Sequence, residues 1–415
     1  MTSRERVISA LNHRAASPAV DFGSTAVTGI HVSIVSALRR RFGLPDRPVR
    51  VIEPYQMLGE VDDELGLALG LDVVGVPARN TIFGFENDGW REWRTPWGQD
   101  VLVPEGFKTR TNEDGSTVIY PQGDTTAPPS GRMPEGGYFF DSIIRQPEID
   151  DDTLSVDDNL EEFGPISSED IEYFRREVAK LEGDERARIF NFGGTGLGDI
   201  ALVPAPFLPY PKGIRDVEEW YVSLVARRDF VEEIFDRQSR QAVENLERLA
   251  PVVGDAADIA FICGTDFGTQ TSSFCSVETF DELWAPYYRR INDWIHANTG
   301  WKTFKHSCGA VEPFIDSFID CGFDILNPVQ ITAAGMDPQR LVDRYGGRIV
   351  FWGGGVDTQK TLPFGTPDEV RAEVARTVET FGRTGGYVFN TIHNTQAKTP
   401  VENFVAMIET VNRHR

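Results

Sequence analysis

The feature that most constrains this chain is an alternation of strand and helix patterns that begins at Ala187 and runs almost to the carboxyl terminus. "ARIFNFGGTG" reads as a strand with a glycine-rich exit, "DVEEWYVSLVARRDFVEEIFDRQSRQAVENLERLA" as one or two helices, and "AADIAFICGTDFG" as the next strand. A helix from Val277 to Asn298 should follow, because Phe280, Leu283, Trp284, Tyr287, Ile291, Trp294 and Ile295 recur at spacings of three and four. Further strands are expected around His306 and at "FDILNPV", "RIVFWGGG" and "GYVFNTIHN", with helices near 312–320, 337–345, 366–381 and 400–412. Two of these helices carry start signals. Thr366, Pro367 and Glu369, and likewise Thr399, Pro400 and Glu402, predict a capping box with proline at the first helical position. Each crossover must return the chain to the same end of the sheet, so the strands are parallel. Counted from "LDVVGV" onward, about seven or eight such units fit a closed (β/α)8 TIM-type barrel better than an open Rossmann sheet.

The rest of the chain decorates that body. An opening helix over residues 3 to 13 and the helical spacing of Ile34, Val35, Leu38 and Phe42 form an amino-terminal helical segment. Between residues 90 and 165 the texture changes. "REWRTPWGQDVLVP" and "FKTRTNEDGSTVIYPQG" are short alternating runs, the second pair joined by the turn "NEDG", which predicts an antiparallel β insertion within one barrel domain spanning 1–415. Trp90, Trp93 and Trp97 lie in it, and core packing of a small sheet is a commoner use for them than a lid. The acidic stretch "PEIDDDTLSVDDNLEEFGP" reads as a solvated linker.

Composition narrows the function. With 41 basic against 64 acidic residues the formal net charge is -23, the wrong sign for a surface that binds nucleic acid or anionic lipid. No stretch approaches the roughly 18 uncharged apolar residues of a spanning helix, and the amino terminus lacks a signal-peptide core, so a cytoplasmic enzyme is expected. The four cysteines, Cys263, Cys275, Cys308 and Cys321, are too few for a disulfide framework, and reduced thiols can ligate metal.

In a barrel, residues just past the strands share one mouth however distant in sequence. That selects "GGTGLGD" with Asp199, "GTDFGTQTS" with Asp266 and Gln270, "KHSCG", "FWGGGVD" with Asp357 and "FNTIHNTQ" with His393. His306 and Cys308, two apart at the end of a strand, point to one face and can converge on one ion. An H-x-C pair alone is more often structural than metal-binding; His393 at the same mouth completes a set of three donors, the number a catalytic zinc uses with one position left open. Asp266 and Gln270 are candidate catalytic residues, and Asp199, Asn327, Trp352 and Asn390 candidate substrate contacts, with capping or supporting roles as the plainer alternative for the aspartates. "GGTGLGD" lacks the spacing of a dinucleotide fingerprint and the Lys-Ser or Lys-Thr of a P-loop. Cys263 reads as core, Cys321 as lying on the far side of the barrel, and Cys275 as a weaker candidate for the mouth.

"KHSCGAVEPFIDSFIDCGFDILNPVQ", "FWGGGVDTQKTLPFGTPDEV" and "GGYVFNTIHNTQAKTPVENFVAMIETV", with the opening "SRERVISALNHRAASPAVDF", resemble the uroporphyrinogen decarboxylase superfamily, which includes zinc methyltransferases using methylcobalamin and coenzyme M. The resemblance implies a (β/α)8 barrel. It also implies that His306 and Cys308 are zinc ligands, with His393 at a position where the methyltransferases have cysteine and the decarboxylases histidine. The arginine-rich element that binds the carboxylates of the decarboxylase substrate is missing from "VDFGSTAVTGIHVSIVSAL", which contains no arginine. The expected activity is therefore methyl transfer between a corrinoid and a thiol, methoxy or methylamine small molecule; a decarboxylase or lyase acting on a small acid, or a non-catalytic binding barrel, are the alternatives. Without a D-x-H-x-x-G motif, cobalamin would be carried by a separate corrinoid protein. The sequence leaves the oligomeric state open, with a homodimer as one option.

Overall fold

The computed structural model describes residues Met1–Arg415. Eight parallel strands form the barrel: β1 (Ala19–Val20), β2 (Val73–Val76), β3 (Ala187–Asn191), β4 (Ile259–Cys263), β5 (Lys302–His306), β6 (Ile325–Asn327), β7 (Val350–Trp352) and β8 (Tyr387–Phe389). Their order around the sheet is β1-β8-β7-β6-β5-β4-β3-β2, each neighbour parallel, which is the TIM-type topology expected from the alternation. The strand at "AV" was not legible, because two residues carry no period.

The seam between β1 and β2 has no ladder. Asp72 closes it: its backbone N–H donates to Val20 O (2.9 Å), and its carboxylate accepts from Val20 N (2.8 Å). That carboxylate is fully buried and is matched by Arg6 (2.5 Å) and by the last residue, Arg415 (2.6 Å), so both chain ends are tied to the barrel at one point.

Inside the barrel, Ala19, Val73, Ala187, Ile189, Ile259, Phe304, Ile325, Val350, Trp352 and Val388 make one apolar cluster; a much larger one fills the space between strands and surrounding helices. Two local expectations fail for identifiable reasons. The stretch 277–298 is two helices, Val277–Leu283 and Ala285–Asn298, because Pro286 has no N–H to continue the first and starts the second. Thr366 and Glu369 form the capping box, but Thr399 does not cap its helix: Val401–Arg413 starts after Pro400, and the Thr399 hydroxyl donates to Gln396 O instead.

Two four-stranded sheets lie outside the barrel. One, antiparallel throughout, uses 109–111, 117–119, 131–133 and 141–142; the other is mixed, 91–94 pairing antiparallel with 100–103, which runs parallel to 49–53, itself antiparallel to 58–59, so the amino-terminal segment contributes to it and the expected insertion is only partly antiparallel. Trp93 packs edge-on against Phe107 (5.0 Å) and Trp97 stacks on Tyr138 (5.0 Å), while Trp90 lies under Arg50. The acidic stretch is more than a solvated linker. Glu161 and Glu162 pair with Arg215, which is 1% exposed, and Asp151 and Asp157 pair with Arg227 and Arg237. No helix is long and apolar enough to cross a membrane.

Candidate metal centre

The strand β5 ends at His306, and Cys308 lies past it in the turn, so strand geometry alone does not set their spacing. The turn brings the Cys308 Sγ to 3.3 Å from His306 Nε2. Gly309 makes this turn at φ +86°, and any side chain there would collide with the Gly268 carbonyl. The β4 and β5 exits therefore touch backbone to backbone, which lets Asp266 accept the Cys308 N–H at 2.6 Å.

His393, four residues past β8, is held at φ +71°, and its ring centroid lies 5.1 Å from that of His306. The donor atoms of His306, Cys308 and His393 all lie within 4.8 Å of one another. Tetrahedral zinc with nitrogen at 2.0–2.1 Å and sulfur at 2.3 Å separates its nitrogen and sulfur ligands by about 3.5 Å. The His306 and Cys308 pair already meets that spacing.

Protonation can be read from the partners. β5 and β6 pair His306 with Asn327, whose Oδ1 lies 2.6 Å from His306 Nδ1 while its Nδ2 donates to Trp352 O at 2.8 Å. With the amide so oriented, Nδ1 carries the hydrogen and Nε2 presents a lone pair toward Cys308, the arrangement of a metal-ligating imidazole backed by an oriented acceptor. Burial lowers the His306 pKa to about 4, keeping it neutral. Burial, then repulsion between the two imidazoles when both are protonated, lowers that of His393 to about 3. Burial, then the neighbouring Asp266, pushes the Cys308 thiol well above its usual range, so only a cation at the site would make it a thiolate near neutral pH.

His393 fits in distance and less well in tautomer. Its Nδ1 accepts from Asn394 N (2.8 Å), so the proton sits on Nε2, and ligation through that atom requires this bond to be given up. His306 and Cys308 are thus already spaced for zinc, and His393 lies within reach but has to move its proton off Nε2. The donor set fits the metal.

The remaining candidates divide. Asp266 and Asp199 are half-buried at the mouth, Asp266 Oδ1 lying 3.8 Å from His306 Nε2. Burial is the main reason both have raised pKa values, Asp199 to about 6, with each other's charge adding to it for Asp199. Asn327, Trp352 and Asn390 are fully buried beneath the ligands: Trp352 Nε1 donates to Asp21 Oδ2 (2.9 Å) and Asn390 Nδ2 to Asp21 O (2.7 Å). Gln270 is exposed, and its backbone carbonyl accepts from Ala334 N. Asp357 caps a turn through Gln359 N and Lys360 N. Cys263 and Cys321 are buried, and Cys275 is half-buried near Tyr221.

Sequence reasoning missed Lys305. It is completely buried, donates to Thr265 O (2.9 Å), His306 O (3.2 Å) and Cys263 Sγ (3.3 Å), and is ringed by Phe267, Tyr288, Phe318 and Phe323. The signal was available: Phe304 and His306 face inward, so Lys305 occupies a helix-facing position that a buried parallel strand normally fills with an apolar residue.

A nearly closed parallel α/β barrel with a His, Cys, His cluster at the strand exits defines the class. Residues 211–414 match the family Uroporphyrinogen decarboxylase (URO-D). Uroporphyrinogen decarboxylases of Burkholderia mallei and Burkholderia thailandensis are 31% identical over 75 residues, 18% of this chain; the matched part spans only 20% of those relatives' length. Among solved structures, a methyltransferase from Methanosarcina mazei is similar in fold across 100% of this chain and 99% of its own, with a TM-score of 0.54 and 16% identity.

Proposed function

We propose that the chain is a zinc-dependent methyltransferase that moves a methyl group between a corrinoid carried on a separate protein and a thiol, methoxy or methylamine small molecule. The observation that carries this reading is the 3.3 Å approach of His306 Nε2 and Cys308 Sγ, with the His393 donor in reach. A zinc ion bound there would supply Lewis-acid activation of a sulfur or other heteroatom of the substrate.

The chain's own residues do the rest. Asn327 fixes the His306 tautomer, and Asp266 fixes the Cys308 backbone. In this reading Asp266 and Gln270 act on the substrate, and Asp199, Asn327, Trp352 and Asn390 shape its pocket. Methyl passes without its bonding electrons: the acceptor supplies the pair for the new bond, and the leaving atom keeps the old one.

A second reading has one observation in its favour. The neutral His393, with its hydrogen on Nε2, is placed to donate a hydrogen bond to a substrate carboxylate or carbonyl oxygen, a contact that a decarboxylase or lyase would use. The two readings separate on metal content. Elemental analysis of purified wild type beside Cys308→Ala should give about one zinc per chain in the former and a large loss in the latter. With methylcobalamin and a thiol, the metal-loaded wild type should then demethylate the corrinoid. Zinc absent from the wild type, or equal in both proteins, rejects the methyltransferase reading.

A further inference from the structure

β4 and β5 do not keep an even register. Ile259, Ala260 and Phe261 pair with Lys302, Thr303 and Phe304, but the next pair is Cys263 with Lys305, so Ile262 is an extra residue in β4, a β-bulge. Side chains alternate between the faces of a strand, and one extra residue reverses the alternation beyond it. Ile259 and Phe261 belong to the inner apolar cluster and Ala260 to the outer one, whereas Ile262 and Cys263, consecutive in sequence, both belong to the outer one. Past the bulge the Thr265 hydroxyl points outward, donating to Leu197 O (3.0 Å) and lying 3.0 Å from Tyr288 Oη. Asp266 turns to the mouth, where it accepts from Cys308 N at 2.6 Å. A regular β4 would bring Thr265 inside and send Asp266 out among the helices, away from Cys308.

One side chain holds the bulged stretch. Lys305, fully buried, donates to Cys263 Sγ (3.3 Å), to Thr265 O (2.9 Å) and to His306 O (3.2 Å). The first two acceptors bracket Gly264 just past the bulge, and the third is the backbone of a candidate ligand. Together they use the three N–H groups of the ammonium, none of them on a carboxylate, while the rings of Phe267, Tyr288, Phe318 and Phe323 lie 4.8 to 5.8 Å from Nζ. An ammonium is costly to bury, and an apolar residue of similar volume usually serves packing as well or better. What lysine supplies and methionine cannot is a set of bonds that fixes the β4 exit against the end of β5.

We propose that Lys305 is a positioning residue for the metal centre: it pins the bulged end of β4 to β5, and thereby aims Asp266 at the Cys308 N–H and holds Cys308 beside His306. The zinc part of its test rests on the metal reading of the site; the positioning itself is read in the metal-free protein.

The test compares wild type with Lys305→Met and with Phe381→Leu, a packing change in the outer cluster against Phe351 and Tyr387, away from Lys305. In the metal-free full chain, hydrogen exchange at the Cys308 amide should be about tenfold faster in Lys305→Met, and zinc affinity, measured against a chromophoric chelator, about tenfold weaker. Phe381→Leu should lower the urea midpoint and leave both unchanged. Asp266→Ala should weaken zinc binding about tenfold in the wild-type background and by less than about threefold in Lys305→Met, because both substitutions break one link. If Lys305→Met does not fold, Lys305→Gln, which keeps two N–H donors, takes its place and should show the same losses in smaller degree. Unchanged Cys308 exchange and zinc affinity in the lysine variant, equal losses in Phe381→Leu, or additive effects with Asp266→Ala overturn the proposal. A wild type that binds no zinc removes the methyltransferase reading, and the exchange comparison then decides the role of Lys305 alone.

Discussion

Asn327→Ala tests whether the site is organised for metal or merely packed. The wild-type amide accepts from His306 Nδ1 (2.6 Å) and donates to Trp352 O (2.8 Å), and both partners are buried. Alanine leaves a ring N–H and a carbonyl unpaired, each costing about 1–3 kcal/mol, so unfolding should become easier by about 2–6 kcal/mol. Zinc affinity should fall separately by about 10–100-fold, or roughly 1.4–2.7 kcal/mol, since His306 loses the bond that fixes its tautomer. Asn327→Asp restores the acceptor for Nδ1 and abandons only Trp352 O. It should be destabilised too, yet keep near-wild-type zinc affinity. The assay is competition for zinc with a chromophoric chelator, run beside urea unfolding of the metal-free proteins. If Asn327→Ala is destabilised but binds zinc as tightly as wild type, the reasoning about His306 as a ligand is refuted.

Asp72→Ala leaves Arg6 and Arg415 facing an emptied seam and should cost about 3–5 kcal/mol in urea unfolding; a change below 1 kcal/mol would show that the seam does not depend on it. Thr366→Ala should cost about 1 kcal/mol through the lost cap, with a smaller effect for Thr399→Ala, whose hydroxyl caps nothing; equal costs contradict the cap assignment. His31 is buried against Tyr138 O and Ser33, and burial lowers its pKa to about 4 from 6.5. The unfolded chain therefore binds this proton first, and stability falls as pH drops from about 6.5 to 4, by on the order of 3 kcal/mol for this group. His31→Phe should flatten that slope, and an unchanged slope assigns it to other groups.

Much of the fold was legible because parallel strands and their covering helices carry strong, different periods. What the sequence hid was long-range or short-range detail that no period records. β1 is two residues long, and Asp72 closes the barrel through contacts with residues at both ends of the chain. Pro286 splits the helix expected over 277–298 by local rules that the apolar stripe masks, whereas Thr399 carries a cap signal yet bonds to Gln396 O instead. At the site, grouping strand exits brought out His306, Cys308, His393, Asp266 and Asp199, since barrel topology alone makes such residues neighbours. The 3.3 Å approach of His306 and Cys308 could not be read, because it depends on two glycines, 268 and 309, meeting across adjacent loops. Gln270 lies at the exit that the same reasoning selects, and it is exposed there.

X-ray absorption at the zinc edge of the metal-loaded protein addresses the central claim most directly. The account predicts one sulfur near 2.3 Å and two imidazole nitrogens near 2.0–2.1 Å, with the sulfur lost in Cys308→Ala and one imidazole lost in His393→Ala. A first shell without sulfur, or one unchanged by either substitution, would contradict it.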